Sequence, residues 1–286
     1  MSLHDRSILI DLTLKGLGTA RTDQRITRDV LQQTRAETDG GRWISRLWPK
    51  EALEPVRKHD AATRAYHQEQ TLPWIDSGKR ILPTARFPDY MATIRERKAE
   101  RQVFVDDFLN RYDHWKYEAM KLRGDAYREA DYPNLEKATD RFNFRVESEP
   151  VPHREDFRIT LSGPDIEAMQ ATLDARIAEA ERIARNDLIA RLTTPLAHMV
   201  ERLSEPGARF SNSLFGNVLS IAELIPDLNV TADPNLDAIR QEIMAKISAF
   251  DPDAVRDSDF QRNRAAKAAS DILATMAPWL EEADAA

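Results

Sequence analysis

"SILIDLTLK", residues 7–15, is the stretch that decides the fold class. Ile8, Ile10, Leu12 and Leu14 alternate with Ser7, Leu9, Asp11, Thr13 and Lys15. That period of two puts one face of a strand against a core and the other toward water. "GLG" at 16–18 then supplies a turn. Two similar runs lie far downstream. Phe142, Phe144 and Val146 interleave with Asn143, Arg145 and Glu147, and Phe157, Ile159 and Leu161 with Arg158 and Thr160. The intervening "SEPVPHRED" holds Pro150 and Pro152, which cannot donate to a ladder, so it reads as a connection. The expectation is a small antiparallel sheet of about three strands, near 7–15, 142–147 and 157–161, with a helical insertion over 25–141.

Outside these runs the period is helical. "ITRDVLQQTRAE" (26–37) and "PKEALEPVRKHDAATRAYHQEQ" (49–70) are helix candidates, with Pro49 in a first turn and Pro55 as a kink. Over 87–123, Phe104, Phe108, Tyr112, Trp115, Ala119 and Leu122 form an apolar stripe, and Gly124 is a C-terminal stop. From Ser162, a helix N-cap, the chain is helical to its end. Pro195 is expected to kink or break the first of these helices, with loops at 204–213 and 225–235 and further helices near 213–225, 235–249 and 258–282. The predicted fold is therefore α+β and predominantly helical, with an α+β domain over 1–161 and a helical domain or arm over 162–286.

Composition excludes several function classes. There are no cysteines, so disulfides, thiolate nucleophiles and Cys-based zinc sites are ruled out. No apolar run approaches the roughly 18–20 residues of a membrane helix, and "MSLHDRSILIDL" lacks a signal-peptide pattern, so a cytoplasmic setting is expected. A net charge of −7 argues against general avidity for phosphate backbones. The charge is uneven, however. Residues 42–101 hold 13 Lys/Arg against 8 Asp/Glu, whereas residues 151–286 hold 14 against 23.

Catalytic patterns are missing. His4, His59, His67, His114, His153 and His198 show no metal-site spacing, and His59 and His67 read as solvated. There is no G-x-S-x-G, Walker or G-x-G-x-x-G motif. The carboxylates Asp106, Asp107, Asp113 and Glu118 fall opposite the aromatic stripe, and "RERKAER" (95–101) reads as a solvated face. The expectation is a protein without catalytic residues, metal or cofactor.

One segment carries a positive signal. Arg42, Arg46 and Lys50 interleave with Trp43 and Trp48, and Lys79, Arg80 and Arg86 follow Trp74. Cations that track phosphates, beside indoles that stack on bases for roughly 1–3 kcal/mol each, are the parts of a single-strand groove. The alternative is that Trp43, Trp48 and Trp74 seal joints between helices and the cations are ordinary surface.

"YHQEQTLPWIDSGKRILP" (66–83), "READYPN" (128–134) and "PVPHREDFRI" (150–159) resemble signatures of a family of bacteriophage and prophage proteins to which no activity attaches. The resemblance spans nearly the whole chain. It implies a phage-encoded accessory protein working beside phage DNA metabolism, and it transfers no site residue. The motifs also read as fold determinants, their prolines holding Trp74 and Ile81 at the edges of extended segments. The leading expectation is an oligomeric protein that binds single-stranded DNA or RNA through residues 42–86 in phage replication or recombination. The other is an interaction protein that binds a host or phage partner through its acidic helical half.

Overall fold

The computed structural model describes residues 3–76, 78–153 and 163–284. Its first elements are α1 (Leu3–Arg6), β1 (Ser7–Lys15), β2 (Ala20–Thr22), α2 (Gln24–Thr34), β3 (Ile44–Arg46) and α3 (Lys50–Gln70). Then come β4 (Leu72–Pro73), β5 (Lys79–Pro83), α4 (Phe87–Asn110), α5 (Tyr112–Arg123), α6 (Leu135–Thr139) and β6 (Asn143–Pro150). The C-terminal part is helical: α7 (Gly163–Ser204), α8 (Ser213–Leu228), α9 (Pro234–Lys246), α10 (Pro252–Asp257) and α11 (Asp259–Asp284). The fold is thus predominantly helical with small antiparallel sheets.

β1 spans the quoted stretch end to end, but Ser7 and Leu9, on the face expected toward water, are buried while Ile8, Leu12 and Leu14 are half-buried; β6 covers the second run and continues to Pro150, into the expected connection. The strand expected at 157–161 and the cap expected at Ser162 lie outside the described residues. Strand order in the larger sheet is β4-β5-β1-β6. Pro73 and Pro150 sit in its two edge strands, where a missing N–H costs no ladder bond. The β4–β5 hairpin, with Leu72 opposite Ile81 and Pro73 opposite Arg80, interrupts the expected helical insertion, as does the separate β2–β3 pair.

The chain forms two compact units whose boundary is not at 161. Unit 1 comprises residues 1–10, 69–87 and 148–286, and unit 2 residues 11–68 and 88–147. Unit 1 has a core of helix faces on α7, α8, α9 and α11, to which Leu72, Trp74 and Ile81 of the hairpin and Leu3 and Leu9 are added. α7 runs unbroken through Pro195, and α8 through Pro226. Leu192, Leu196 and Met199 are all buried around Pro195. At roughly 1.5–3 kcal/mol each, their burial outweighs the roughly 3 kcal/mol that an internal proline costs.

Unit 2 is built around Trp48, whose ring meets Phe108 edge-on at 5.4 Å and Tyr132 at 4.9 Å. The expected 87–123 helix is two helices, α4 and α5, parted at Arg111. Phe108, Tyr112, Trp115 and Ala119 are buried as the stripe requires, but Phe104 and Leu122 at its flanks are exposed. Gly124 ends α5 as expected, at φ +50°.

Two further expectations are overturned in unit 2. Arg101 is not on a solvated face; it is buried, with Nε 2.6 Å from Asp60 Oδ1 and Nη2 2.6 Å from the Lys15 carbonyl. His67 is buried, with Nδ1 2.7 Å from the Tyr90 hydroxyl, and the largely covered His59 ring lies 3.2 Å from Glu100. Both histidines complete polar contacts along α3.

Candidate nucleic-acid interface

Residues 42–46, the start of the basic segment, pair through β3 with β2 in an arm of unit 2. β2 and β3 pair antiparallel, with Ala20 opposite Arg46, Arg21 opposite Ser45 and Thr22 opposite Ile44. The Leu47 N–H donates to the Thr19 carbonyl at 2.8 Å, and the Asp23 N–H to the Trp43 carbonyl at 2.9 Å, extending the ribbon at both ends. Asp23 then caps α2, accepting from the N–H groups of Arg25 and Ile26. The Ile26 bond is the main cause of its depressed pKa. Thr27 donates to the Asp23 carbonyl at 2.7 Å and accepts from the Trp43 N–H at 2.9 Å, so helix, cap and ribbon are laced together. α2 ends on Arg35, which adopts the left-handed conformation at φ 53°, ψ 31°.

The ribbon stands on a fixed base. Arg123 pairs with Asp131 at 2.7 Å and reaches Asp23 at 3.5 Å, and Arg21 also pairs with Asp131. Burial works against the Arg123 charge, but the bond to Asp131 raises its pKa on balance. The Tyr132 hydroxyl donates to the Leu47 carbonyl at 2.7 Å. Ser45, Leu47 and Trp48 are buried, whereas no residue from 20 to 44 is. The arm therefore has no core of its own.

Of the clefts beside this ribbon, the one between residues 21–25 and Arg123, Arg128 and Asp131 has Asp23 and Asp131 in its wall, and two others are free of acids. One, of about 370 Å³, runs between the Ala20–Ile44–Arg46 face and the start of α3, where Lys50 and Arg57 join Arg46 in its wall. The other, of about 940 Å³, opens between one face of α2 and the 36–42 loop, with Arg28, Arg35 and Arg42 in its wall. Neither wall contains a carboxylate. Unit 2 as a whole carries 23 Lys/Arg against 21 Asp/Glu, so placement of charge, not excess, makes these walls cationic.

The predicted residues divide. Arg42 and Arg46 are exposed and have no acidic partner among the described residues. The Trp43 side chain between them is 50% exposed, and the neighbouring Ile44 67%. The Trp43 ring does not itself form part of either cleft wall. Lys50 is exposed, 3.9 Å from a Glu54 carboxylate that Lys58 holds at 3.0 Å. Trp48 and Trp74 leave the set: at 2% and 7% exposure they are core residues of unit 2 and unit 1, and neither indole can stack on a base. Lys79, Arg80 and Arg86 fall in unit 1 and are engaged there. Lys79 pairs with Glu149, and Arg80 donates to the Thr71 hydroxyl at 2.6 Å and carbonyl at 3.0 Å. Arg86 holds Asp227 at 2.7 Å and also Gln70. Arg28, Arg35 and Arg57 were missed. Arg28 and Arg35 lie seven apart on one helix face, a spacing the sequence displays.

Comparison with family models, with curated proteins and with solved structures finds no match to the chain. Among the described residues no group of three or more His, Asp or Glu could hold a metal ion, and no helix is long and apolar enough to cross a membrane. What the arm offers chemically is unneutralised guanidinium groups beside exposed aromatic and aliphatic surface. That combination suits a polyanion with flat apolar faces.

Proposed function

We propose that unit 2 binds single-stranded nucleic acid across the β2–β3 ribbon. The observation that carries this reading is the half-exposed Trp43 and exposed Ile44 between Arg42 and Arg46, neither of which meets a carboxylate. A base stacked on the indole and phosphates on the guanidinium groups use both features at once. With the likeness to phage proteins, the activity belongs to an accessory role in phage replication or recombination, in the cytoplasm of the host.

Titration of a fluorescein-labelled single-stranded oligonucleotide tests this. Arg42, Arg46, Lys50 and Arg57 predict a log–log salt slope of about −3, from about −0.7 for each phosphate neutralised on a single strand. Arg42→Ala with Arg46→Ala should shallow that slope by about 1.4 and weaken binding at every salt concentration. Trp43→Ala should weaken binding without changing the slope, since stacking releases no counterions. Absence of binding at micromolar protein in low salt would end the reading.

A further inference from the structure

The two acid-free clefts open on one face of the β2–β3 ribbon. Residues two apart on a strand point the same way, and directly paired residues on neighbouring strands share a face. The pairs Ala20–Arg46 and Thr22–Ile44 therefore present all four side chains to one side. Ala20, Ile44 and Arg46 line the smaller cleft and Thr22 the larger, so the Thr22–Ile44 pair is the divide between them. Arg46, Lys50 and Arg57 lie in the wall on one side of that divide, and Arg42, Arg35 and Arg28 in the wall on the other.

The acids nearby stand outside both walls. Glu54 is held by Lys58 at 3.0 Å, and Asp29, Glu37 and Asp39 belong to the arm but not to the larger cleft. In the third cleft, by contrast, Arg21 and Arg123 are already engaged by Asp131. Unneutralised charge thus follows one route, from the start of α3, across the ribbon face, to α2. Along α2, Arg28 and Arg35 are spaced by about 10 Å, as are Lys50 and Arg57 along α3. Cations set out at intervals suit a chain of phosphates better than one compact anion.

Resting on the single-strand reading above, we infer that one strand runs through both clefts, so that the protein takes single-stranded segments of about six nucleotides or more. Arg28, Arg35, Arg42, Arg46, Lys50 and Arg57 each meet one phosphate, and Ile44 lies under the strand where it crosses the divide. A strand held at the ribbon alone stops at about four phosphates, those of Arg42, Arg46, Lys50 and Arg57, with a salt slope of about −3. Arg28 and Arg35 take the slope to about −4.

The full-length chain is titrated, over a range of salt concentrations, with fluorescein-labelled oligothymidines carrying about four or about twelve phosphates. The slope should be about −3 for the short strand and about −4 for the long one. Arg28→Ala with Arg35→Gly should bring the long strand to about −3 and leave the short one unchanged. A length effect due to strand ends alone would survive that double substitution. Alanine is the best helix former at the exposed Arg28, and glycine is at ease in the left-handed conformation Arg35 adopts, so the variant should melt no lower than the parent. Lys137→Ala removes an exposed cation of unit 2 that lies in neither wall, and it should leave both slopes as they are. If the two strands give equal slopes, if their difference persists in the double variant, or if Lys137→Ala shallows the long-strand slope as much, the path into the α2 cleft is overturned and the ribbon reading stands. If neither strand binds, both fall.

Discussion

Arg101 illustrates how much a single side chain can hide. Its guanidinium spans Asp60 Oδ1 and Oδ2 at 2.6 and 3.2 Å and also reaches the Lys15 carbonyl, tying α4 to α3 and to the end of β1. Arg101→Ala should therefore cost about 3–5 kcal/mol, because it strands a buried carboxylate. Arg101→Met combined with Asp60→Leu should recover most of that loss, since neither charge is then left alone. Urea unfolding at neutral pH measures both, and a cost under about 1 kcal/mol for the single variant would show that water reaches the pair. The run "RERKAER" conceals this role, since Glu96 and Glu100 give it the look of a solvated face. The readable clue is spacing: Arg101 lies seven after Ile94, four before Val105 and seven before Phe108, all buried. The tryptophans gave no comparable clue. Trp43 and Trp48 are five residues apart in similar surroundings, yet Trp48 is buried because Phe108 and Tyr132, 60 and 84 residues away in sequence, close over it.

At the scale of elements, long periodic segments were legible and short ones were not. β1, α3, α7 and α8 each carry enough repeats for their period to show. β2, β3 and β4 have two or three residues, too few to alternate, and exist only because a partner strand is in register. The "READYPN" segment is the converse, a motif recognisable in the sequence whose work is visible only in three dimensions. Asp131 pairs with Arg21 and Arg123, Tyr132 donates to the Leu47 carbonyl, Pro133 accepts from the Tyr112 hydroxyl at 2.6 Å, and Asn134 caps α6. Burial, with Glu129 and Asp113 nearby, pushes the Tyr112 phenol up to about 12, and burial also raises Tyr132. A tyrosine whose folded pKa lies above its unfolded value of about 10 gives stability that is complete below pH 10 and is lost as pH climbs to about 12. The melting temperature should therefore fall across pH 10–12. Tyr112→Phe should melt lower at pH 8, by the loss of one hydrogen bond worth about 1 kcal/mol, and should fall less steeply with alkali. Equal alkaline slopes in the two proteins would contradict the assignment.

Across the whole molecule, the path of the chain matters more than its length. It passes between the units four times, after residues 10, 68, 87 and 147, so neither unit is a continuous stretch of sequence. A division at 161/162, which the switch to helical periodicity invites, would take α7–α11 away from Leu3, Leu9, Leu72, Trp74, Ile81 and Val151, all buried in the core of unit 1. At roughly 1.5–3 kcal/mol each, these six side chains represent about 10 kcal/mol or more of burial, comparable to the roughly 5–15 kcal/mol that holds a typical domain folded. Polar ties would go as well. Arg191 donates to the Glu69 carbonyl at 2.9 Å and the Thr71 carbonyl at 2.7 Å, and Arg86 holds Asp227. Residues 162–286 expressed alone should therefore keep helical far-ultraviolet dichroism but bind a hydrophobic dye and unfold without a sharp transition. A cooperative melt of that fragment, with no dye bound, would mean that α7–α11 carry a sufficient core without the hairpin. The same chain path governs how the arm is to be tested. Unit 2 takes its base from Leu47, Trp48, Phe108, Tyr112 and Tyr132, on both sides of the unit 1 hairpin in sequence, so excising residues 20–46 would leave the arm without that footing. An excised arm that failed to bind would not separate loss of the ribbon from loss of the guanidinium groups, whereas substitutions in the full chain do.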